Sequence, residues 1–419
     1  MVEILSKESP SQNGRRVVVT GLGVVSSIGI GWQEFWKNLI AGKSGISRIT
    51  SFDVSMYERK YAGEIKNFDA NLYINRKKIK FLGRSSQFAI TAAKLALEDS
   101  NFEVNSTNSK NIIASIGMTM AEMTELEKYN DSIYTQNCTI NGNDVALKFP
   151  AFSISSNVAR ELGLNGKNIV FSSACAAGNY SICYAYDQIK NSTADYALAG
   201  GSDSFSRVVF TGFSRLFAIA DKFCQPFDKN RSGMIPGEGS AILFLESYES
   251  AVKRNAKIYA EILGFGMSCD AFHMTIPSVE SVSKAIMKCL MNSELSIEQI
   301  NYICAHGTGT KENDETEVAA VIKVFKNRSR YIPMSSIKSM LGHTMGAASA
   351  LEAVSCCLSL DCQVVPPTIN FTEKDPLCDI DCVPNKAREA TLEIILNNSQ
   401  AFGGNNACVA LKTLKQNTI

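Results

Sequence analysis

Cys175 lies in the run Ser172-Ser173-Ala174-Cys175-Ala176-Ala177-Gly178, between an apolar segment and a stretch with helical spacing. A cysteine between a strand and a helix sits where backbone N–H groups and the positive helix end can stabilise a thiolate, the nucleophilic form. Small neighbours permit a tight turn and leave room for a substrate. A buried thiol on an alanine-rich helix is the competing reading, so partners matter. Ala305-His306-Gly307-Thr308-Gly309-Thr310 directly follows an apolar strand, and nothing in a packed strand end demands imidazole followed by Gly-Thr-Gly-Thr. The segment suits a ligand that approaches the backbone closely. Ser335-Ser336-Ile337-Lys338-Ser339-Met340-Leu341-Gly342-His343 runs into the small-residue start of a helix. The chain has only three histidines, and two fall in these glycine-flanked loops. That placement favours catalysis by one thiol and two imidazoles.

The elements that must position these residues follow from periodicity. Residues 168–171 read as a strand that feeds the cysteine turn, and a helix runs on to about Lys190. Residues 17–20 read as a strand closed by a turn at Gly21-Leu22-Gly23, residues 32–40 and 84–98 as helices, and residues 111–117 as the next strand. Further strands are expected at 196–199, 241–246 and 302–305. Strands alternating with helices indicate an α/β architecture with parallel or mixed sheets. The segment 258–265, a strand followed by glycine, resembles the start at 17–23 and hints at two halves of similar construction.

Composition narrows the classes. Hydrophobic residues make up 45% and charged residues 20% of 419, which excludes a disordered chain. The net charge of +1 gives no global attraction for nucleic acid or membrane, so an acidic partner needs a local basic patch. Thirteen cysteines without framework spacing read mostly as buried free thiols. Cys356-Cys357 and the pair Cys378, Cys382 lack zinc-site spacing, so no metal is expected. Gly21-Leu22-Gly23 is a poor dinucleotide fingerprint, because Ser26 replaces its third glycine. The first fourteen residues read as a polar tail without a signal-peptide core, and no later run is expected to span a bilayer. A cytoplasmic location is the default.

The cysteine segment, the His-Gly-Thr-Gly-Thr loop, the Lys-Ser-Met-Leu-Gly-His segment and the closing Ala401-Phe402-Gly403-Gly404-Asn405-Asn406 run together resemble the β-ketoacyl synthase family, in that family's order and from about Arg15 to Leu411. The resemblance implies a thiolase fold: a duplicated αβαβα arrangement of five layers, with residues 15–257 as the half carrying the nucleophile, 258–419 as the half carrying both histidines, and usually a dimer. It implies that Cys175 holds the acyl chain while His306 and His343 flank a malonyl thioester, promote loss of CO2 and stabilise the enolate. Lys338 and Glu352 would form a supporting electrostatic network. The backbone N–H groups of Cys175 and Phe402 would form an oxyanion hole, and Phe402 would be an aromatic gate on a loop loosened by Gly403 and Gly404. Thr308 and Thr310 would bind the phosphopantetheine arm of an acyl carrier protein, which holds the substrate; the enzyme itself would need no cofactor. His273 would lie near the pocket mouth with no more than a peripheral role.

Relatives usually have Asn-Ser-Phe-Gly-Phe-Gly-Gly where this chain has Asn398-Ser399-Gln400-Ala401-Phe402-Gly403-Gly404. Ala401 removes backbone freedom beside the gate, and Gln400 replaces an aromatic. The run Asn179-Tyr180-Ser181-Ile182 also differs from the usual fatty-acid version. Residues 309–317, the Ser335-Ser336-Ile337-Lys338 segment and this gate look more like the ketosynthase subunit of a type II polyketide synthase than like synthase II of fatty acid elongation, which stays as the alternative. The polyketide reading implies a chain-length-factor partner in a heterodimer; the other implies a homodimer. A non-enzymatic partner subunit fits less well, because Cys175 is present. A thiolase is disfavoured because the C-terminal loop lacks a second cysteine. The acidic carrier would dock on Arg76, Lys77, Lys78 and Lys80, with Arg215 and Lys222.

Overall fold

Strands that are covered on both faces must be apolar throughout, and the first strand, β1 (Val17–Ser26), is buried at all ten positions. In the computed structural model, which describes residues 14–136 and 140–414, the chain continues through β2 (Ile112–Gly117), β3 (Asn168–Phe171), β4 (Tyr196–Asp203), β5 (Gly239–Ser247), β6 (Ala260–Cys269), β7 (Tyr302–Cys304), β8 (Met334–Ser335), β9 (Ile394–Gln400) and β10 (Asn405–Lys412). These strands fall into two sets of one topology. The first set has the order β3-β2-β4-β5-β1 and the second β8-β7-β9-β10-β6. In each, the first two pairings are parallel and the last two antiparallel. The two sets meet where β1 pairs with β6, Val17 opposite Ile262 and Val19 opposite Ala260. The fresh start suspected near residue 258 is therefore the counterpart of β1.

The principal helices are α1 (Trp32–Ile40), α2 (Arg84–Asp99), α3 (Phe152–Leu162), α4 (Ala177–Lys190), α5 (Arg207–Arg215), α6 (Val279–Asn292), α7 (Lys311–Phe325) and α8 (Ala348–Cys362). Helices α2 and α3 cover the outer face of the first set, α6 and α7 that of the second, and α4 and α8 pack together between the sheets. The result is the five-layer αβαβα order of the thiolase fold. Helix α8 explains a departure from the sequence reading. The segment Met345–Cys362 is long and apolar enough to cross a bilayer, yet it is apolar because it is the buried centre of the protein.

No turn closes β1 at Gly21-Leu22-Gly23; the strand runs on to Ser26 with an irregularity between Val19 and Gly21. The glycines serve contact with α2: a Cβ on Gly23 would stand 1.8 Å from the Ala92 carbonyl oxygen, and one on Gly21 2.1 Å from that of Ala96. The expected tail lies, apart from Gly14, outside the described residues. Among the described cysteines other than Cys362 all are free thiols, and of these only Cys269 is exposed.

Candidate active site

Strand β3 ends in a tight turn, Ala174–Ala176, that delivers Cys175 to the N-terminal end of α4. Ala174 is held at φ 48°, a left-handed conformation that costs a non-glycine residue about 1 kcal/mol or more. Cys175 is only 6% exposed and lines a cavity of about 500 Å³ that also has His306, His343, Thr308, Thr310 and Phe402 in its wall. The turn thus brings the thiol and both imidazoles predicted from sequence to one space.

His306 stands just past the end of β7, and two hydrogen bonds pin its loop: the N–H groups of His306 and Gly307 each donate to the carboxyl of Glu317, at 2.8 Å. Glu317 is a fully buried residue of α7 that the sequence reading passed over. Its only signal is an acidic residue on the helix that directly follows the His-Gly-Thr-Gly-Thr loop. Arg231, also unanticipated, is buried beside the same helix and pairs with Glu315 at 2.9 Å and with Asp375.

Lys338 and Glu352 form a buried ion pair. Glu352 is 1% exposed on α8, so it is no solvated helix residue. The Lys338 ammonium also donates to the His306 carbonyl at 2.6 Å and faces His306 Nδ1 at 3.3 Å. An ammonium has donors only, so Nδ1 must be the acceptor and the ring proton resides on Nε2. His343 is set the same way, because its Nδ1 accepts from the Met345 N–H at 3.2 Å. The two rings meet edge to face with centroids 5.4 Å apart. Both imidazoles therefore offer Nε2–H as a donor.

Burial dominates the electrostatics. It holds His306 and His343 well below the usual imidazole range, with the charge of Lys338 adding to the effect, so both rings are neutral at pH 7. It also raises Glu352 to about 7 against the opposing charge of Lys338, and Glu317 to about 7 against its two backbone hydrogen bonds. The Cys175 thiol is pushed up to about 12, chiefly by burial, with Lys338 opposing. Burial thus works against a resting thiolate, and attack must include loss of the thiol proton.

Phe402 sits on the short turn Phe402–Gly404, with its ring 5.7 Å from that of Phe213. Gly403 (φ 78°) donates to the Met274 carbonyl at 2.9 Å, and a Cβ there would make an ordinary contact with Asn405 Nδ2 at 3.8 Å. Gly404 (φ 81°) has no such room, since a Cβ would lie 2.0 Å from Asp270 Oδ1. Ala401 adopts φ −143°, ψ 153°, an extended conformation open to any residue, so the methyl group is accommodated without strain. Thr308 and Thr310 have hydroxyls 3.0 Å apart in the cavity wall. His273 also lines the mouth, where its Nδ1 caps a turn by accepting from the N–H groups of Thr275 and Ile276. Arg76, Lys77, Lys78 and Lys80 do not line this cavity, and Lys78 is paired with Glu161. Arg215 and Lys222 are exposed, Arg215 between the cavity-lining Phe213 and Leu216.

Comparison with known proteins agrees with this geometry. Residues 14–251 match the family model described as β-ketoacyl synthase, N-terminal domain, and residues 259–372 match the C-terminal domain. The chain is 39% identical to the 3-oxoacyl-[acyl-carrier-protein] synthase 2 of Coxiella burnetii, over 95% of this chain and 98% of that protein. Among solved structures it resembles the ishigamide ketosynthase/chain length factor, with a TM-score of 0.92 and 40% identity over 96% of this chain and 100% of that one. It also resembles the AntDE:AntF complex, a type II polyketide synthase carrier protein with its ketosynthase bound to the hexaketide, with a TM-score of 0.87 and 31% identity over 96% of this chain and 100% of that one.

Proposed function

Because the chain belongs to the β-ketoacyl synthase family, acyltransferases that catalyse Claisen condensation, we propose that it condenses an acyl group on Cys175 with malonyl-[acyl carrier protein] as the ketosynthase subunit of a type II polyketide synthase. Cys175 attacks the incoming acyl thioester, the carrier thiol leaves with the proton, and an acyl-enzyme results. The malonyl carboxylate then departs as CO2, and the electrons of the broken bond form an enolate. That carbanion equivalent attacks the acyl carbonyl, and the Cys175 thiolate is expelled and reprotonated. The backbone N–H groups of Cys175 and Phe402 are assigned to the oxyanion of each acyl transfer, and Thr308 and Thr310 to the phosphopantetheine arm.

The observation that carries this reading is the matched pair of tautomers. Lys338 on one imidazole and the Met345 N–H on the other leave both Nε2 protons free to donate. Two neutral donors beside the nucleophile suit the oxygen of an enolate better than they suit a general base. Glu352 and Glu317 act on His306 through Lys338 and through the loop backbone. Arg215, next in sequence to cavity-lining residues, Lys222, and the separate cationic run Arg76, Lys77, Lys78, Lys80 are assigned to an acidic carrier protein.

The residue pattern of 309–317 and the likeness to a ketosynthase/chain length factor structure favour the polyketide assignment and a heterodimer with a chain-length-factor subunit. Synthase II of fatty acid elongation is the second reading, supported by the Coxiella relative. Reconstitution with malonyl-loaded carrier, with and without a candidate partner subunit, tests both. Carrier-bound poly-β-keto products that need the partner are expected, and fully competent elongation by this chain alone would favour fatty acid synthesis. In the same assay His306→Ala and His343→Ala should still be acylated at Cys175 yet release little CO2.

A further inference from the structure

Gln400 ends β9, two residues before Phe402. It is 3% exposed and contributes to the wall of the active-site cavity, and among the described residues neither its Oε1 nor its Nε2 has a hydrogen-bond partner. Side chains two apart on a strand share a face. On that face Asn398 Nδ2 is likewise unpartnered. The opposite face is tied to α4, where Asn397 and Ser399 both bond to the side chain of Asn179. A buried carboxamide that has lost water at both ends and gained no partner destabilises the protein, and an aromatic ring would carry no such penalty. The polar side chain is therefore unexplained by folding, and it stands next to Phe402.

We propose that Gln400 is a specificity residue whose carboxamide pairs with a secondary amide of the carrier's phosphopantetheine arm when the Phe402 loop moves, a role that rests on the reading of this chain as a carrier-fed synthase. A secondary amide offers one N–H and one C=O, the complement of the C=O and NH2 of glutamine. A keto oxygen on the acyl chain would satisfy Nε2 alone. The same cavity holds the hydroxyls of Thr308 and Thr310, which the arm must pass. The neighbouring Phe402 loop turns on two glycines of positive φ, and a side chain at Gly403 would meet only an ordinary contact, Asn405 Nδ2 at 3.8 Å.

The test compares wild type with Gln400→Leu, using the same acyl group as a pantetheine thioester, which has the arm's amides, and as an ethyl thioester, which has none. Acylation of Cys175 is followed by intact-protein mass spectrometry, and melting temperature is measured in parallel. Loss of the paired hydrogen bonds should lower kcat/KM for the pantetheine thioester about tenfold more than for the ethyl thioester. The variant should melt no lower than wild type, because leucine removes an unpaired amide. Equal effects on both thioesters, a lowered melting temperature, or a loss that follows an oxygen on the acyl chain instead of the arm's amides would each overturn the proposal. If wild type is acylated by neither thioester, the synthase reading falls and takes this one with it; wild-type acylation with equal effects removes the Gln400 role alone.

Discussion

Lys338→Met separates the structural from the chemical work of the site. The ammonium has three contacts to lose: the His306 carbonyl at 2.6 Å, His306 Nδ1 at 3.3 Å, and Glu352. Methionine fills the space but strands a carboxyl that is 1% exposed. Breaking a buried pair from one side costs about 3–5 kcal/mol. Glu352 is already raised to about 7 with Lys338 present, so without it the group takes up a proton at neutral pH, and the cost falls at the low end of that range. The chemical effect is distinct. With nothing donating to Nδ1, His306 divides its time between two tautomers and its Nε2 donor is intermittently lost. Full loss of one such donor costs about 10²–10³ in rate, so malonyl-carrier decarboxylation should fall about twofold if the two tautomers are equally populated and approach about 100-fold only where the Nδ1–H form dominates. The acid limb of the pH profile should also move up, since the cation that helps keep both histidines neutral has gone. The assay is CO2 release beside thermal melting, repeated on the double variant Lys338→Met/Glu352→Leu. The double variant should regain most of the lost stability and none of the decarboxylation. If it regains both, or if Lys338→Met melts early but decarboxylates like wild type, the tautomer argument is wrong.

Cys175, raised to about 12 by burial, should react with iodoacetamide at a rate that climbs nearly tenfold per pH unit between about pH 7 and 9; a plateau below pH 8 would show a resting thiolate instead. Gly403→Ala and Gly404→Ala should differ although both positions have positive φ: the first costs about 1 kcal/mol, while the second also drives a methyl into Asp270 and should lower both stability and condensation. Equal denaturant midpoints for the two would contradict this. Gly23→Ala should destabilise by about 3 kcal/mol or more, because strand and helix must separate to admit a Cβ now 1.8 Å from Ala92 O; a denaturant midpoint near wild type would refute the close-packing account of this glycine.

What the sequence alone determined was the inventory. Cys175, His306 and His343 are legible together, because two glycine-flanked imidazole loops accompany one cysteine turn, while Lys338 and Phe402 are legible through the resemblance to the family. Helices such as Arg84–Asp99 and Ala177–Lys190 are legible because their apolar residues recur at helical spacing. The tertiary structure decided what is set by contact between distant segments. It turned Gly21 and Gly23 from a supposed turn into a seat for α2. It gave β6 its place beside β1, and so the symmetry of the two halves. It brought Glu317 under the His306 loop. Ionisation belongs to the same class. A cysteine at a helix start suggests a thiolate, yet desolvation depends on everything packed around it, and here burial raises the thiol with Lys338 opposing. The tautomers of His306 and His343 depend on donors 32 residues away in one case and two in the other. Residue type supplies the reactive groups, but their charge, proton and freedom are set by neighbours that only the folded chain brings near.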